Sequence, residues 1–324
     1  MALADVTLRR ENEGLGGDLW DRSAFGITLV RPDASDDAGG RTATWLHVSP
    51  RKLDSIWDSG RAHRTVDMRF PDGKLFMAVE HDELLGYMVR APRFGRHIVA
   101  AEGRRITSAV PRIAPWRWER LFLAQVLPLA AVLQGLEVFH ASAVALADRA
   151  IAFVGTSGVG KTSTAAHLVA RGAKFVTDDV LALETSDDGV VAYPGAPRLA
   201  IDAAEVRRIP VQAREQLGPL LGTFEKRQFA PTPVEGARRL SLVYFLQRAA
   251  ASQEPRIVEV DEPRRLLGAP FIPHLRSPAR LVRHLDVCAK LARTGRTFVV
   301  DVPPGCRADD VAELTLEHAE GVLL

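Results

Sequence analysis

Eight consecutive residues, Gly155-Thr156-Ser157-Gly158-Val159-Gly160-Lys161-Thr162, fill every position of the pattern G-x-x-x-x-G-K-[ST]. The chemistry this spacing serves is the binding of a phosphate chain. Glycines at 155, 158 and 160 let backbone N–H groups converge on an anion without a Cβ in the way. Lys161 supplies a point charge for β- and γ-phosphates, and the Thr162 hydroxyl can ligate Mg²⁺. The flanks fit. Ile151 to Val154 reads as a buried strand, and a helix is expected from Thr162 to Arg171, ended by Gly172. The helix N-terminus adds its dipole and free amides to the anion site. This strand–loop–helix context separates the motif from a glycine-rich turn opening an ordinary helix. ATP with Mg²⁺ is the expected ligand.

Asp178-Asp179 follow within a strand read over Lys174 to Glu184. Adjacent strand residues point to opposite faces, so the two carboxylates should have different tasks. One can hold Mg²⁺, and the other can accept the proton of an attacking hydroxyl. One capping and one exposed aspartate is the structural alternative. His140, on a strand read over Leu136 to Leu146, could hydrogen-bond a γ-phosphate or serve as a satisfied core residue. Arg198, Lys226 and Arg227 are candidate phosphate or substrate clamps, with solvated surface as the alternative.

The elements that must position these residues differ along the chain. Residues 1–113 read as β-rich: Phe25 to Val30, Thr65 to Phe70, Leu75 to Val79, Leu85 to Val89 and His97 to Ala101 alternate between turn signals. Pro71-Asp72-Gly73 is a hairpin candidate, and Arg31 to Arg41 reads as a mobile surface loop. From Pro115 a helix runs to Gly135, with Trp116 and Trp118 best read as packing aromatics. The expected division is therefore a β-rich region, 1–113, and an α/β region, 114–324. Into the second, the strand ending at Leu146 enters as a hairpin through Asp148-Arg149, where a crossover helix would be usual. Val206 to Leu221 reads as helical around Pro210. Leu242 to Leu246 and Arg256 to Val260 read as paired strands. Helices are expected from Pro278 to Thr294 and Asp309 to His318, with a strand over Arg296 to Val302 between them.

Composition sets bounds. The 324 residues suit one large or two medium domains, and 25% charged with 47% hydrophobic residues is ordinary for a globular protein. A net charge of +2 gives no argument for nucleic acid. Two cysteines, Cys288 and Cys306, make neither a disulfide framework nor a thiolate zinc site, which suits a reducing cytoplasm. No apolar leader is read at the N-terminus, and Leu121 to Leu133 is too short and interrupted to span a membrane.

The set His140-Ala141-Ser142-Ala143-Val144, the glycine loop, Arg171-Gly172 and Asp178-Asp179 resembles the catalytic core of the HPr kinase/phosphorylase superfamily, over about 45 residues from His140 to Glu184. The resemblance implies the fold shared with ATP-dependent phosphoenolpyruvate carboxykinases, a phosphate loop entered through a mixed, largely antiparallel sheet. It implies Asp178 as general base, Asp179 as the magnesium-side acid and His140 beside the transferred phosphate. The implied activity is transfer of the γ-phosphate of ATP to a hydroxyl, first of all a serine of a protein or peptide. A small-molecule hydroxyl and a regulatory ATPase without acceptor are the alternatives. A carboxykinase-like reaction lacks a metal-binding His/Lys pair and an arginine cluster in this sequence. The family's second signature, an E-I-R-G-L-G-I segment, has no counterpart here, so the reading does not extend to phosphorolysis or to HPr as acceptor. Residues 1–113 differ from the N-terminal domain of the bifunctional enzymes. The chain looks closer to shorter HPr-kinase-like proteins, in which Arg198 and Lys226-Arg227 have loose counterparts. Ring-forming homo-oligomers are implied by the resemblance alone.

Overall fold

The computed structural model of the chain describes residues 22–33, 40–58, 60–250, 254–260 and 264–323. They fall into two compact units, Met1–Leu136 and Glu137–Leu324. The N-terminal stretch read as lacking a leader, and part of the loop expected over Arg31 to Arg41, lie outside the described residues.

The first unit is built on one eight-stranded sheet. In chain order its elements are β1 (Ser23–Ala24), β2 (Ile27–Val30), β3 (Arg41–His47), the short helix α1 (Pro50–Ile56), β4 (His63–Arg69), β5 (Leu75–Asp82), β6 (Gly86–Ala91), β7 (Gly95–Val99) and β8 (Arg105–Ala109). The sheet order is β1-β2-β3-β8-β7-β6-β5-β4. Pro71-Asp72-Gly73 closes the β4–β5 hairpin, as its turn chemistry predicts. Strands β3 and β8 are additions to the sequence reading. In β8 Ile106 to Ala109 are buried on both faces, the polar Thr107 and Ser108 among them, and in β3 the alternately buried Ala43, Trp45 and His47 are of mixed polarity, so neither strand gives a clear apolar alternation.

The helical stretch from Pro115 belongs to this first unit, not to the second region as expected. Trp118 is fully buried and stacks on Trp45 with centroids 6.2 Å apart, and Phe122 meets both rings edge-on. The stretch has three parts: α2 (Pro115–Leu121), a π-helical turn Phe122–Val126, and α3 (Leu127–Leu133). The widened turn has a cause. Pro128 has no N–H and its ring collides with the carbonyl four residues back, so Leu127 N–H reaches to Phe122 O instead. Among the described residues no helix is long and apolar enough to cross a membrane.

The second unit is mixed α/β. It opens with β9 (Glu137–Leu146) and β10 (Arg149–Val154), joined by a two-residue turn in which Ala147 and Asp148 both take positive φ, 45° and 62°. Next come α4 (Lys161–Ala170), β11 (Lys174–Thr177), β12 (Val180–Ser186), β13 (Gly189–Tyr193), β14 (Leu199–Ile201), α5 (Ala203–Arg208), β15 (Leu220–Thr223), β16 (Arg227–Phe229), β17 (Arg238–Arg248), β18 (Arg256–Glu259), α6 (Arg264–Leu267), α7 (Pro278–Thr294), β19 (Arg296–Val302) and α8 (Ala308–Leu323). The main sheet runs β10-β9-β12-β13-β17-β19-β18, with β11 beside β9 and β10 also paired to β17. Most pairings are antiparallel, while β10, β17 and β19 are mutually parallel. β18 pairs with β19, not with β17 as the sequence reading had it. The parallel strand that separates them comes from much later in the chain, a long-range pairing that local patterning does not show.

Period-2 alternation divides this sheet between two cores. Val144, Ile151, Phe153, Tyr244, Leu246 and Phe298 face α4 and α8. Phe139, Ala141, Ala143, Val243, Phe245 and Val299 face the side of α7, which contributes Val287, Cys288 and Leu291. His140 and Ser142, alternating with Phe139, Ala141 and Ala143, therefore lie on the α4 face. The segment expected to be helical around Pro210 is α5 followed by a 3₁₀ stretch, Val211–Leu217, and then β15 of a small sheet ordered β14-β16-β15.

Candidate active site

The glycine loop connects the carboxyl end of β10 to α4 and rests on β17. A Cβ at Gly155 would stand 2.5 Å from Leu246 O and 2.9 Å from the Val159 side chain, so only glycine admits this approach. Gly160, the residue preceding α4, is left-handed at φ 116°. A Cβ at Gly158 would meet nothing within 4 Å, so the loop's tip is open. Lys161 is buried beneath the loop, and its Nζ donates to Gly155 O at 2.8 Å and Thr156 O at 3.2 Å. Burial lowers its pKa, opposed by the charges of Asp179 and Asp178 and assisted by Lys226. Both carboxylates and Lys226 are thus within electrostatic reach of the loop lysine.

The acid pair does not sit on a continuous strand. It occupies the break between β11 and β12, where Asp179 is left-handed at φ 63°, a conformation Asp tolerates better than most residues. Strand alternation, on which the expectation of opposite faces rested, does not hold at this break, and the charges of both carboxylates act on Lys161. Asp178 Oδ1 accepts from Ser142 Oγ at 2.7 Å and from Thr162 Oγ1 at 2.8 Å. Burial pushes the Asp178 carboxyl up, the neighbouring Asp179 adds to the rise, and hydrogen bonds from Ser142, Thr162 and the Ala200 amide oppose it. The outcome is about 7. Asp179 is exposed.

His140 is half-buried at the β9–β12 register position opposite Val180. Its Nδ1 lies 3.0 Å from Asp179 O; a carbonyl only accepts, so this contact places the proton on Nδ1. On the other edge of β9, His140 N–H donates to Ala269 O and Phe271 N–H to Val138 O, which sets the Phe271 ring 6.0 Å from the imidazole.

Lys226 lies in the β15–β16 turn, 3.8 Å from Asp202. Arg227 opposes Ile201 and Thr223 in the same small sheet, and Arg198 directly precedes β14. That sheet touches the acid pair through Ala200, and the Lys226 charge acts on the loop lysine.

Sequence reasoning gave no role to three residues that the structure brings here. Ser142 is 36 positions from Asp178 but its side-chain hydrogen-bond partner in space. Phe271 comes from a distant loop. Arg248, at the end of β17, donates from Nη2 to Gly158 O at 3.0 Å. A signal existed only for Ser142, which falls two residues after His140 and so shares its face.

The donor set suits magnesium in a phosphate complex. Mg²⁺ keeps waters and phosphate oxygens and takes only one or two protein ligands, and Thr162 and Asp179 can supply them. Among the described residues no group of three or more His, Cys, Asp or Glu forms a separate metal cage.

The class these features define is a mixed α/β protein whose glycine loop, at the carboxyl end of a parallel strand, faces a carboxylate pair. Over 89 residues the chain is 32% identical to the HPr kinase/phosphorylase of Clostridium botulinum strain Eklund 17B (Type B), and equally to that of strain Alaska E43 (Type E3). Each match covers 28% of this chain and 29% of the relative, less than a third of its length. Among solved structures, the Hpr(Ser) kinase/phosphatase from Coxiella burnetii aligns with 57% of this chain and 92% of its own, at a TM-score of 0.32 and 12% identity. No family model matches. The sequence matches support the HPr kinase-like superfamily.

Proposed function

We propose that the protein is an ATP-dependent kinase that moves the γ-phosphate to a hydroxyl, with a serine of a protein or peptide as the leading acceptor. The observation that carries this reading is the hydrogen-bonded chain Ser142–Asp178–Thr162 beside Lys161, which sets a carboxyl, held up by burial and by Asp179, against the mouth of the glycine loop. A carboxyl raised above its ordinary value and held by hydrogen bonds is suited to take the proton of an alcohol.

In this reading the loop amides and Lys161 hold the phosphate chain, and Thr162 with Asp179 would hold Mg²⁺, which would supply charge neutralisation of the phosphates. Asp178 takes the acceptor's proton as the acceptor oxygen bonds to phosphorus. The bond to the bridging oxygen breaks, and its electron pair leaves on ADP. His140, with Nδ1–H fixed on Asp179 O, keeps Nε2 for the transferred group. Lys226 can meet the phosphate from the small sheet.

Incubation with γ-labelled ATP, Mg²⁺ and a lysate of the producing organism, followed by mass spectrometry, tests the assignment. A molecule that gains one phosphoryl group with the native protein and not with Asp178→Asn is expected. Steady ATP consumption with no phosphorylated product would instead favour the regulatory ATPase.

One contact favours a second reading of the two acids. Thr162, the hydroxyl suited to magnesium, bonds to Asp178 and not to Asp179. Under exchanged roles Asp178 would be the metal-side acid. Asp178→Asn would then weaken Mg²⁺ dependence, and Asp179→Asn would remove proton transfer.

A further inference from the structure

The strand order fixes a direction across the site. Along the α4 face of the sheet the strands run β12, β9, β10, β17, β19. The acid pair, Ser142 and His140 belong to the β12–β9 side. The glycine loop rises from β10. On its other flank, Val154 is paired with Phe245, and Leu246 O lies so close to Gly155 that a Cβ there would meet it at 2.5 Å. Two residues further, Arg248 shares the face of Tyr244 and Leu246 by alternation, and its guanidinium reaches Gly158 O. Neighbouring strands are about 4.8 Å apart, so Arg248 stands roughly two strands, on the order of 10 Å, from the line of Ser142.

Phosphoryl transfer places the attacking and leaving oxygens in line, on opposite sides of the transferred group. With the base on the β9 side, the leaving diphosphate must extend toward β17. Ligands of open α/β sheets also lie outside the carboxyl ends of parallel strands, and here those ends are β10, β17 and β19. We propose that the nucleoside diphosphate part of ATP lies over the carboxyl ends of β17 and β19, with Arg248 as the cation that binds its diphosphate. This rests on the kinase reading above and adds the leaving-group side to it.

The guanidinium is suited to this. It is exposed, one N–H is held by the loop, and the other donors of the fork remain for phosphate oxygens. In the turn after β19, Cys306 packs against the α4-side core, and its thiol feels the charges of Asp310, Arg248 and Asp309. Under the proposal Cys306, on the turn that follows β19, is the reporter for occupancy of this side. Cys288, the other cysteine, is buried in the opposite core.

The full chain with ADP and ATP as probes tests this by two readouts. Isothermal titration of native protein and Arg248→Ala should show ADP binding weakened about tenfold or more, with Arg248→Lys intermediate and circular dichroism unchanged. Maleimide labelling of native protein, read peptide by peptide, should show Cys306 slowed by saturating ADP while Cys288 stays unlabelled. If ATP binds the native protein but ADP leaves Cys306 labelling unchanged, the diphosphate lies elsewhere and the proposal is overturned, even should Arg248→Ala weaken binding by loosening the loop. Native-like ADP affinity in Arg248→Ala overturns it equally. Failure of the native protein to bind ATP at all would remove the kinase reading itself, a different result from either.

Discussion

In the proposed reading Lys161 and Asp178 carry most of the chemistry, and their environments make opposite demands. Lys161 is buried against carbonyls of its own loop, and burial lowers its pKa. In the kinase reading bound phosphate adds counter-charge to that of Asp178 and Asp179, so Lys161→Ala should weaken ATP binding by a factor on the order of 100, about 2.7 kcal/mol, read by calorimetry. Asp178 has the reverse problem. Its folded pKa, about 7, stands above the unfolded value near 3.9. The folded state therefore holds its proton more tightly. This favours folding fully below about pH 4, and the contribution is lost as pH rises through about 7. Asp178→Asn keeps an oxygen for Ser142 and Thr162 without the charge. In chelator and without nucleotide, its melting temperature should exceed that of the native protein by more at pH 8 than at pH 5. Equal offsets at both values would show that the carboxyl is not held up by burial.

At the scale of elements, the glycine loop was legible because one short segment contains strand, turn and helix start, each with local cause. The acid pair was legible as a pair but not in its geometry: a period-2 strand predicts opposed side chains, and the left-handed Asp179 breaks that period. Ser142 and Arg248 were not legible as partners, because cross-strand contacts over 36 and 90 positions leave no mark in spacing. The same holds for the loop that presents Phe271. It is held from beneath by α7, where Arg280 donates to Ile272 O and, at 2.9 Å, to Leu275 O while pairing with Glu137 at 2.7 Å. Burial alone would raise the Glu137 pKa, but hydrogen bonds from His284 and Arg280 outweigh it and hold the carboxylate charged. Arg280→Ala leaves that charge buried without its main partner. A loss of about 3–5 kcal/mol in chemical denaturation is expected, whereas a loss below about 1 kcal/mol would mean that water or Arg283 replaces the pair.

For the whole molecule, every site residue named above lies in the second unit, Glu137–Leu324, and the helical stretch from Pro115 completes the core of the first. The sequence boundary near residue 113 followed a change in local pattern. The structural one follows packing, which only Trp45 and Trp118 together reveal. A fragment of residues 137–324 should unfold cooperatively and bind ATP within about threefold of the full chain, under 0.7 kcal/mol; loss of binding in a folded fragment would mean that the first unit contributes to the site. The most direct test of the central claim, that the glycine loop and the acid pair act on one ATP, is Asp178→Asn followed by both ATP titration and single-turnover transfer. The account predicts ATP affinity close to native with transfer abolished. Transfer surviving at native rate would contradict it.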